Sequence, residues 1–292
     1  PRDGALVSYA LMKAGYTTTC RNFFDFCAHV IAPYNFCASV MGENGFLLHK
    51  YNPDGSFGSS WHPWVKGEEI HVPIQEDETA LILCVIRQYY HLYPRMDEIR
   101  PLYHSFIEKA ADFLVSYRDE QTGLPLPSYD LWEERRGILS FTTATVYGGL
   151  MAAANISDIF YHTEKSTLYR KTAAQIKKAI DQYLYSEKHK RFLRMIYPKK
   201  DGGYEIDATI DASLYGMFAF GVYEPTDIKI QNTMKAIEES LWVKTNIGGI
   251  ARYEHDQYQR VGNDDAIPGN PWIICTMWLA QYYVSTAKSV ED

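Results

Sequence analysis

Residues 127 to 137, Pro-Ser-Tyr-Asp-Leu-Trp-Glu-Glu-Arg-Arg-Gly, gather three carboxylates, Asp130, Glu133 and Glu134, around one indole, Trp132. Pro125 and Pro127 lead into the stretch and Gly137 leads out. Neither helical nor strand periodicity runs through it, so it reads as a loop. Cleaving a glycosidic bond needs groups of this kind. A protonated carboxylic acid gives its proton to the leaving oxygen, and in an inverting enzyme a second carboxylate, about 6.5–9.5 Å away, activates water. The acid needs a raised pKa, which apolar neighbours and like charges supply. Glu133, with an indole on one side and Glu134 on the other, is the candidate general acid. The plainer reading of two adjacent glutamates is a solvated turn.

Three more groupings suit a sugar. Arg2 and Asp3, in Pro-Arg-Asp-Gly-Ala, set a planar donor beside an acceptor and can fork hydrogen bonds to hydroxyls; an acidic first turn favoured by the helix dipole is the plainer alternative. Arg252 and Asp256, in Ala-Arg-Tyr-Glu-His-Asp, have a surface ion pair as theirs. Trp272 follows Pro271 at a helix start, where proline is ordinary, and serves a core as readily as a sugar platform.

Other chemistries lack their signatures. The chain has no Gly-x-Ser-x-Gly, no phosphate loop, no dinucleotide fingerprint and no kinase motif. Metal-ligand spacing is absent among nine histidines and five cysteines, so neither a metal nor a cofactor is expected. A net charge of −7 argues against a nucleic-acid partner. No apolar run approaches the ~20 residues that span a membrane. Cys20, Cys27, Cys37, Cys84 and Cys275 are odd in number and sit mostly in apolar helical patterns, which points to reduced thiols and a cytoplasmic setting. The 23 tyrosines and 6 tryptophans offer flat faces with polar tips.

The elements that must hold these residues are helices, and nine are expected. They alternate strictly in kind. One kind is nearly uncharged, beginning near Arg2, Glu76, Ser140, Asp211 and Pro271; helices apolar on most faces must be surrounded by protein. The other kind is amphipathic, as in residues 168 to 187, where Ala173, Ile176, Ile180 and Leu184 form the apolar stripe. An inner ring of apolar helices within an outer ring of amphipathic ones, an (α/α) barrel, explains the alternation; a plain bundle does not. The unusual loops lie just before the apolar helices, where a toroid would bring them to one end. Residues 191 to 203 alternate like a short hairpin. No linker divides residues 1–292, so a single domain is expected.

Taken in order, "PRDGA", "HKYNPDGSFGSSWHPW", "PIQEDETALIL", "TGLPLPSYDLWEE", "RYEHD" and "GNPWIICTMWLAQYY" resemble the glucoamylase-like family 15 of glycoside hydrolases, in its bacterial and archaeal branch. The resemblance implies an all-α (α/α)6 toroid of twelve helices with the active site at the inner N-termini. It implies inverting, exo-acting hydrolysis of α-glucosidic bonds in α-glucans or maltooligosaccharides. By position it makes Glu133 the general acid, Trp132 and Glu134 substrate contacts beside it, and Arg2 and Asp3 the holders of the terminal glucose. Arg252 would contact sugars around the scissile bond with Asp256 supporting it, and Asp130 would be scaffold. Nine helices beginning at Arg2 correspond to helices two to ten, so the catalytic domain is expected to be incomplete at both ends, with the general base outside it. An incomplete toroid leaves apolar faces uncovered on its first and last segments, and the isolated chain is expected to be poorly soluble or inactive.

One departure from the family is local. Some members hold the acid with a tryptophan four residues before the glutamine that matches Gln75; here His71 stands there, so support would come from elsewhere, with Trp61 and Trp64 as candidates. Trehalase or glucodextranase specificity, and a non-catalytic carbohydrate-binding or regulatory module on the same scaffold, stay open as alternatives.

Overall fold

The computed structural model describes residues 1–31, 44–62, 65–66, 69–70, 72–199, 202–261 and 267–289. Cys37, Trp64 and His71 lie outside the described residues. The chain forms two compact units: Pro1–Gly137 with Thr145–Lys178, and Ile138–Ala144 with Ala179–Asp292.

In the first unit, α1 (Arg2–Lys13) packs on α2 (Thr17–Val30) and on α3 (Glu76–Leu92). Helix α2 is amphipathic: Cys20, Phe24, Cys27 and Val30, spaced at three and four residues, are its buried positions. Helix α3 is buried nearly all round, from Glu76 through Leu83 without a break, and Pro94 keeps it from continuing. Helix α4 runs as Met96–Leu102, a π turn over Tyr103–Ile107, and Glu108–Ser116. Helix α5 (Ser140–Ile159) approaches α3 so closely that a Cβ at Gly149 would lie 2.9 Å from the carbonyl oxygen of Ala80. Helix α6 (Thr163–Ala179) carries Lys177 and Lys178 in its last turn, where cations favour the dipole. It buries Tyr169, Ala173 and Ile176 on one side.

The second unit contains the anticipated hairpin. Strands β1 (Met195–Pro198) and β2 (Tyr204–Asp207) are antiparallel, with Met195 opposite Asp207 and Pro198 opposite Tyr204. Helix α7 departs from expectation. A helix over residues 211–223 was anticipated; the structure has a 3-10 turn, Ala212–Tyr215, and one α turn, Gly216–Ala219. Gly221, at φ 74°, takes the left-handed conformation that ends a helix, so the apolar run continues as a buried turn through Val222 and Tyr223. Helices α8 (Ile228–Leu241) and α9 (Ile273–Thr286) complete the nine helical stretches among the described residues.

The apolar helices are not equally covered. Helices α3 and α5 are enclosed, whereas α1 exposes Val7 by 56% and α9 exposes Ile273, Met277 and Val284 by 85%, 55% and 77%. The composition of α1 and α9 demanded partners on most faces, and these faces lack them in the described residues.

Candidate active site

Arg2 opens α1, and its partners come from sequence 73 to 131 positions away. Its backbone N–H donates to Glu78. Its guanidinium donates to Gln75 Oε1 at 3.0 Å, to Asp77 Oδ2 at 2.5 Å and to Glu133 Oε1 at 2.9 Å, and lies 3.3 Å from Glu78 Oε1. Gln75 Nε2 also donates to both oxygens of Glu133, at 2.9 and 2.8 Å. The N-termini of α1 and α3 and the Glu133 loop therefore meet at one point.

Burial shows how unusual that point is. Gln75, Glu76, Asp77 and Glu78 are at most 2% exposed. Acids in a first helical turn gain only ~0.3–1 kcal/mol each from the dipole. Removing an ion from water costs several kcal/mol, so the dipole alone does not explain three buried carboxyls in a row. Arg2 compensates in part. Burial works against its charge, but Asp77, Glu78 and Glu133 together hold it firmly protonated. One cation does not satisfy them all. Burial pushes the Glu76 carboxyl up to about 8, with Asp77 beside it adding to the effect. It also raises Asp77 to about 6, outweighing the pull of Arg2.

The segment that carries Glu133 is the tip of a hairpin. Ser128 lies opposite Gly137 and Tyr129 opposite Arg136. Asp130, buried to 2%, closes the tip: its Oδ1 accepts the backbone N–H groups of Glu134 and Arg135 at 2.9 and 3.2 Å. Asp130 N–H donates to the carbonyl of Arg135, and Glu133 N–H to the carbonyl of Asp130. This tight return sets Glu133 at φ 61°, a left-handed conformation that a side chain adopts at a cost of about 1 kcal/mol or more. Trp132 is half-buried and Glu134 is exposed. The sequence argument placed Trp132 and Glu134 as the groups acting on the Glu133 carboxyl; in space the groups bonded to it are Arg2 and Gln75, with His62 beside them. Asp3, in the first turn of α1, is exposed.

Two imidazoles of residues 44–62 face this cluster. His62 stacks on Tyr129, ring centroids 3.3 Å apart and planes 4° apart, and its Nε2 is 3.4 Å from Glu133 Oε2. Burial lowers the His49 pKa, while Glu133 and Glu78 near it pull the other way. Trp61 is 69% exposed, with the Lys50 ammonium over its ring at 4.6 Å, so it does not support the acid.

The remaining candidates lie in the second unit. Arg252 and Asp256, 3% and 0% exposed, form a two-pronged pair: Nε to Oδ2 at 2.7 Å and Nη2 to Oδ1 at 2.6 Å. This is a buried pair, not a surface one. The guanidinium also lies over the rings of Tyr253, Tyr258 and Trp272, 5.2, 4.8 and 5.1 Å from their centroids. Trp272 is held opposite Ile250 by antiparallel pairing just before α9. Gly269 makes room for the turn, since a Cβ there would lie 2.8 Å from that of Asp256. Arg194, over the ring of Tyr253 at 4.3 Å, has its Nε 3.1 Å from the buried Asp211 carboxylate at the start of α7.

Gln75, Asp77, Glu78 and His62 were not singled out from the sequence. The available signal was Gln-Glu-Asp-Glu running straight into an apolar helix, where four polar residues must be buried along with it.

Comparison with known proteins agrees with the helical pattern. The model of the family described as Glycosyl hydrolases family 15 matches residues 1–291, and the chain belongs to that family. An uncharacterized glycosyl hydrolase of Methanocaldococcus jannaschii is 30% identical over 292 residues, covering 100% of this chain and 40% of its own length. A glucoamylase of Clostridium sp. (strain G0005) is 26% identical over 312 residues, covering 98% of this chain and 39% of its own. The chain thus spans about 40% of the curated relatives it matches. A bacterial glucoamylase solved with acarbose superposes with a TM-score of 0.74 at 22% identity, over 97% of this chain and 40% of that one. That likeness establishes the fold as all-α, of the (α/α)6 toroid kind.

Proposed function

We propose that the full-length protein is an inverting, exo-acting α-glucoside hydrolase of glucoamylase type. It releases glucose from the non-reducing ends of α-glucans or maltooligosaccharides, with Glu133 as general acid. The observation that carries the reading is the Glu133 carboxyl at a strained hairpin tip, fixed by Arg2 and Gln75 at the N-termini of two helices. Backbone strain of this kind persists where the surroundings over-determine it, commonly at reactive positions. The name of the Clostridium relative supports the substrate class.

In the reaction, Arg2 and Asp3 hold hydroxyls of the terminal glucose, while Gln75 keeps the Glu133 carboxyl in place. Glu133, turned to the glycosidic oxygen, delivers its proton as the C–O bond breaks. Even with Glu133 protonated, Asp77 and Glu78 outnumber the Arg2 guanidinium they share, and that negative surplus stabilises the positive charge that grows on the sugar ring. Trp132 and Glu134 supply further sugar contacts; the Arg252–Asp256 pair with Trp272, in the second unit, is a sugar-binding group in its own right. A second carboxylate activates water on the opposite face; no residue of this chain is assigned to it. Cys20, Cys27, Cys84 and Cys275 are free thiols, in keeping with a cytoplasmic setting as part of the same proposal. No described helix is long and apolar enough to cross a membrane.

Glu133→Gln in the full-length protein tests the reading. Hydrolysis of maltotriose should fall by about 10²–10⁴, the contribution of a general acid, while maltotriose binding by calorimetry persists. Proton NMR of the first product from the unmodified protein should show β-glucose. Normal cleavage by the variant, or binding without cleavage by the unmodified protein, overturns the proposal.

A further inference from the structure

The two oxygens of Glu133 are not equivalent. Oε1 accepts from Arg2 and from Gln75, both at 2.9 Å. Among the described residues, Oε2 accepts from Gln75 alone, at 2.8 Å, and faces the His62 ring, whose Nε2 is 3.4 Å away and has no hydrogen-bond partner among them. The less encumbered oxygen is the one suited to carry a transferable proton, and the imidazole addresses that oxygen.

The ring is itself held in place. It lies flat against Tyr129, and Tyr129 belongs to the hairpin that ends in Glu133, paired across it with Arg136. The imidazole and the carboxyl therefore bear on the same short hairpin. Trp61, one of the tryptophans the sequence offered for this task, turns to solvent instead.

We propose that His62 is a positioning residue for Glu133: its Nε2 restrains Oε2 in the orientation from which the proton reaches the glycosidic oxygen. The inference rests on Glu133 being the general acid. No bond to His62 forms or breaks in the reaction; the ring sets a direction. Misplacing a reacting group by about 1 Å can cost ~10² in rate.

The experiment uses the full-length protein with His62→Phe, which keeps a flat ring on Tyr129 and removes the nitrogen, and His62→Gln, which restores a donor. Each is assayed on maltotriose and on α-glucosyl fluoride, whose leaving group departs with little need of a proton. For His62→Phe, kcat on maltotriose should fall about 10- to 100-fold with KM nearly unchanged. Its rate on the fluoride should stay close to that of the unmodified protein, which also shows that the variant is folded. His62→Gln should recover part of the loss. Equal losses on both substrates would mean that the ring merely supports the fold, and no loss on either would mean that the contact is idle; each outcome overturns the proposal. Normal maltotriose hydrolysis by Glu133→Gln would instead remove the reading on which it rests. An inactive Glu133→Gln beside an unaffected His62→Phe would remove His62 alone.

Discussion

Glu76 lends itself to a stability test that is independent of catalysis. It is 1% exposed, and burial raises its carboxyl from an ordinary 4.5 to about 8. Between those two values the folded chain holds a proton that the unfolded chain has lost, so stability is greatest below pH 4.5 and declines as pH rises toward 8. Integrating the linkage from pH 5 to pH 8 gives a loss of roughly 3–4 kcal/mol from this one group. Asp77, raised to about 6 from 3.8, works in the same direction over a lower range. Glu76→Gln keeps shape and volume and removes the titration. Urea unfolding followed by tryptophan fluorescence at pH 5, 6, 7 and 8 should show the stability difference between variant and unmodified protein widening with pH, in the variant's favour. A constant offset from the amide does not matter, because the slope is the readout, and the Asp77 contribution is common to both proteins. Parallel profiles from pH 5 to pH 8 would refute the buried-carboxyl reasoning.

Other outcomes follow from the same geometry. Arg2→Ala leaves Asp77 and Glu78 buried without their counter-charge and should cost about 3–5 kcal/mol at pH 7, read from the urea midpoint; the cost should shrink toward pH 5 as Asp77 takes up a proton. Gly149→Val drives a side chain against the Ala80 carbonyl between α3 and α5 and should destabilise by about 1–3 kcal/mol in the same assay. Gly269→Ala presses on Asp256 and should disturb its pair with Arg252, raising KM for maltotriose with kcat little changed, read from initial rates.

Helix identity could be read locally. The starts expected near Arg2, Glu76 and Ser140 match the starts of α1, α3 and α5, because an apolar run with capping and proline punctuation needs no knowledge of distant sequence. Residues 211–223 show where that reasoning ended. Apolar composition specified burial there, but the left-handed Gly221 stopped the helix after two short turns.

For the candidate site, sequence alone supplied residue types: a glutamate beside an indole, an arginine at a helix start, a tryptophan after Gly-Asn-Pro. It also indicated which loops precede the enclosed helices. Only the tertiary structure decided which groups touch. The partners of Arg2 lie 73 to 131 residues away, and side chains separated so far are joined by packing, not by any local preference. Glu133 and Glu134 look alike in the chain. The turn closed by Asp130 sends one carboxyl to Arg2, Gln75 and His62 and leaves the other exposed. The left-handed backbone at Glu133 had no sequence signal, because no glycine marks it; it is imposed by the hydrogen bonds around it.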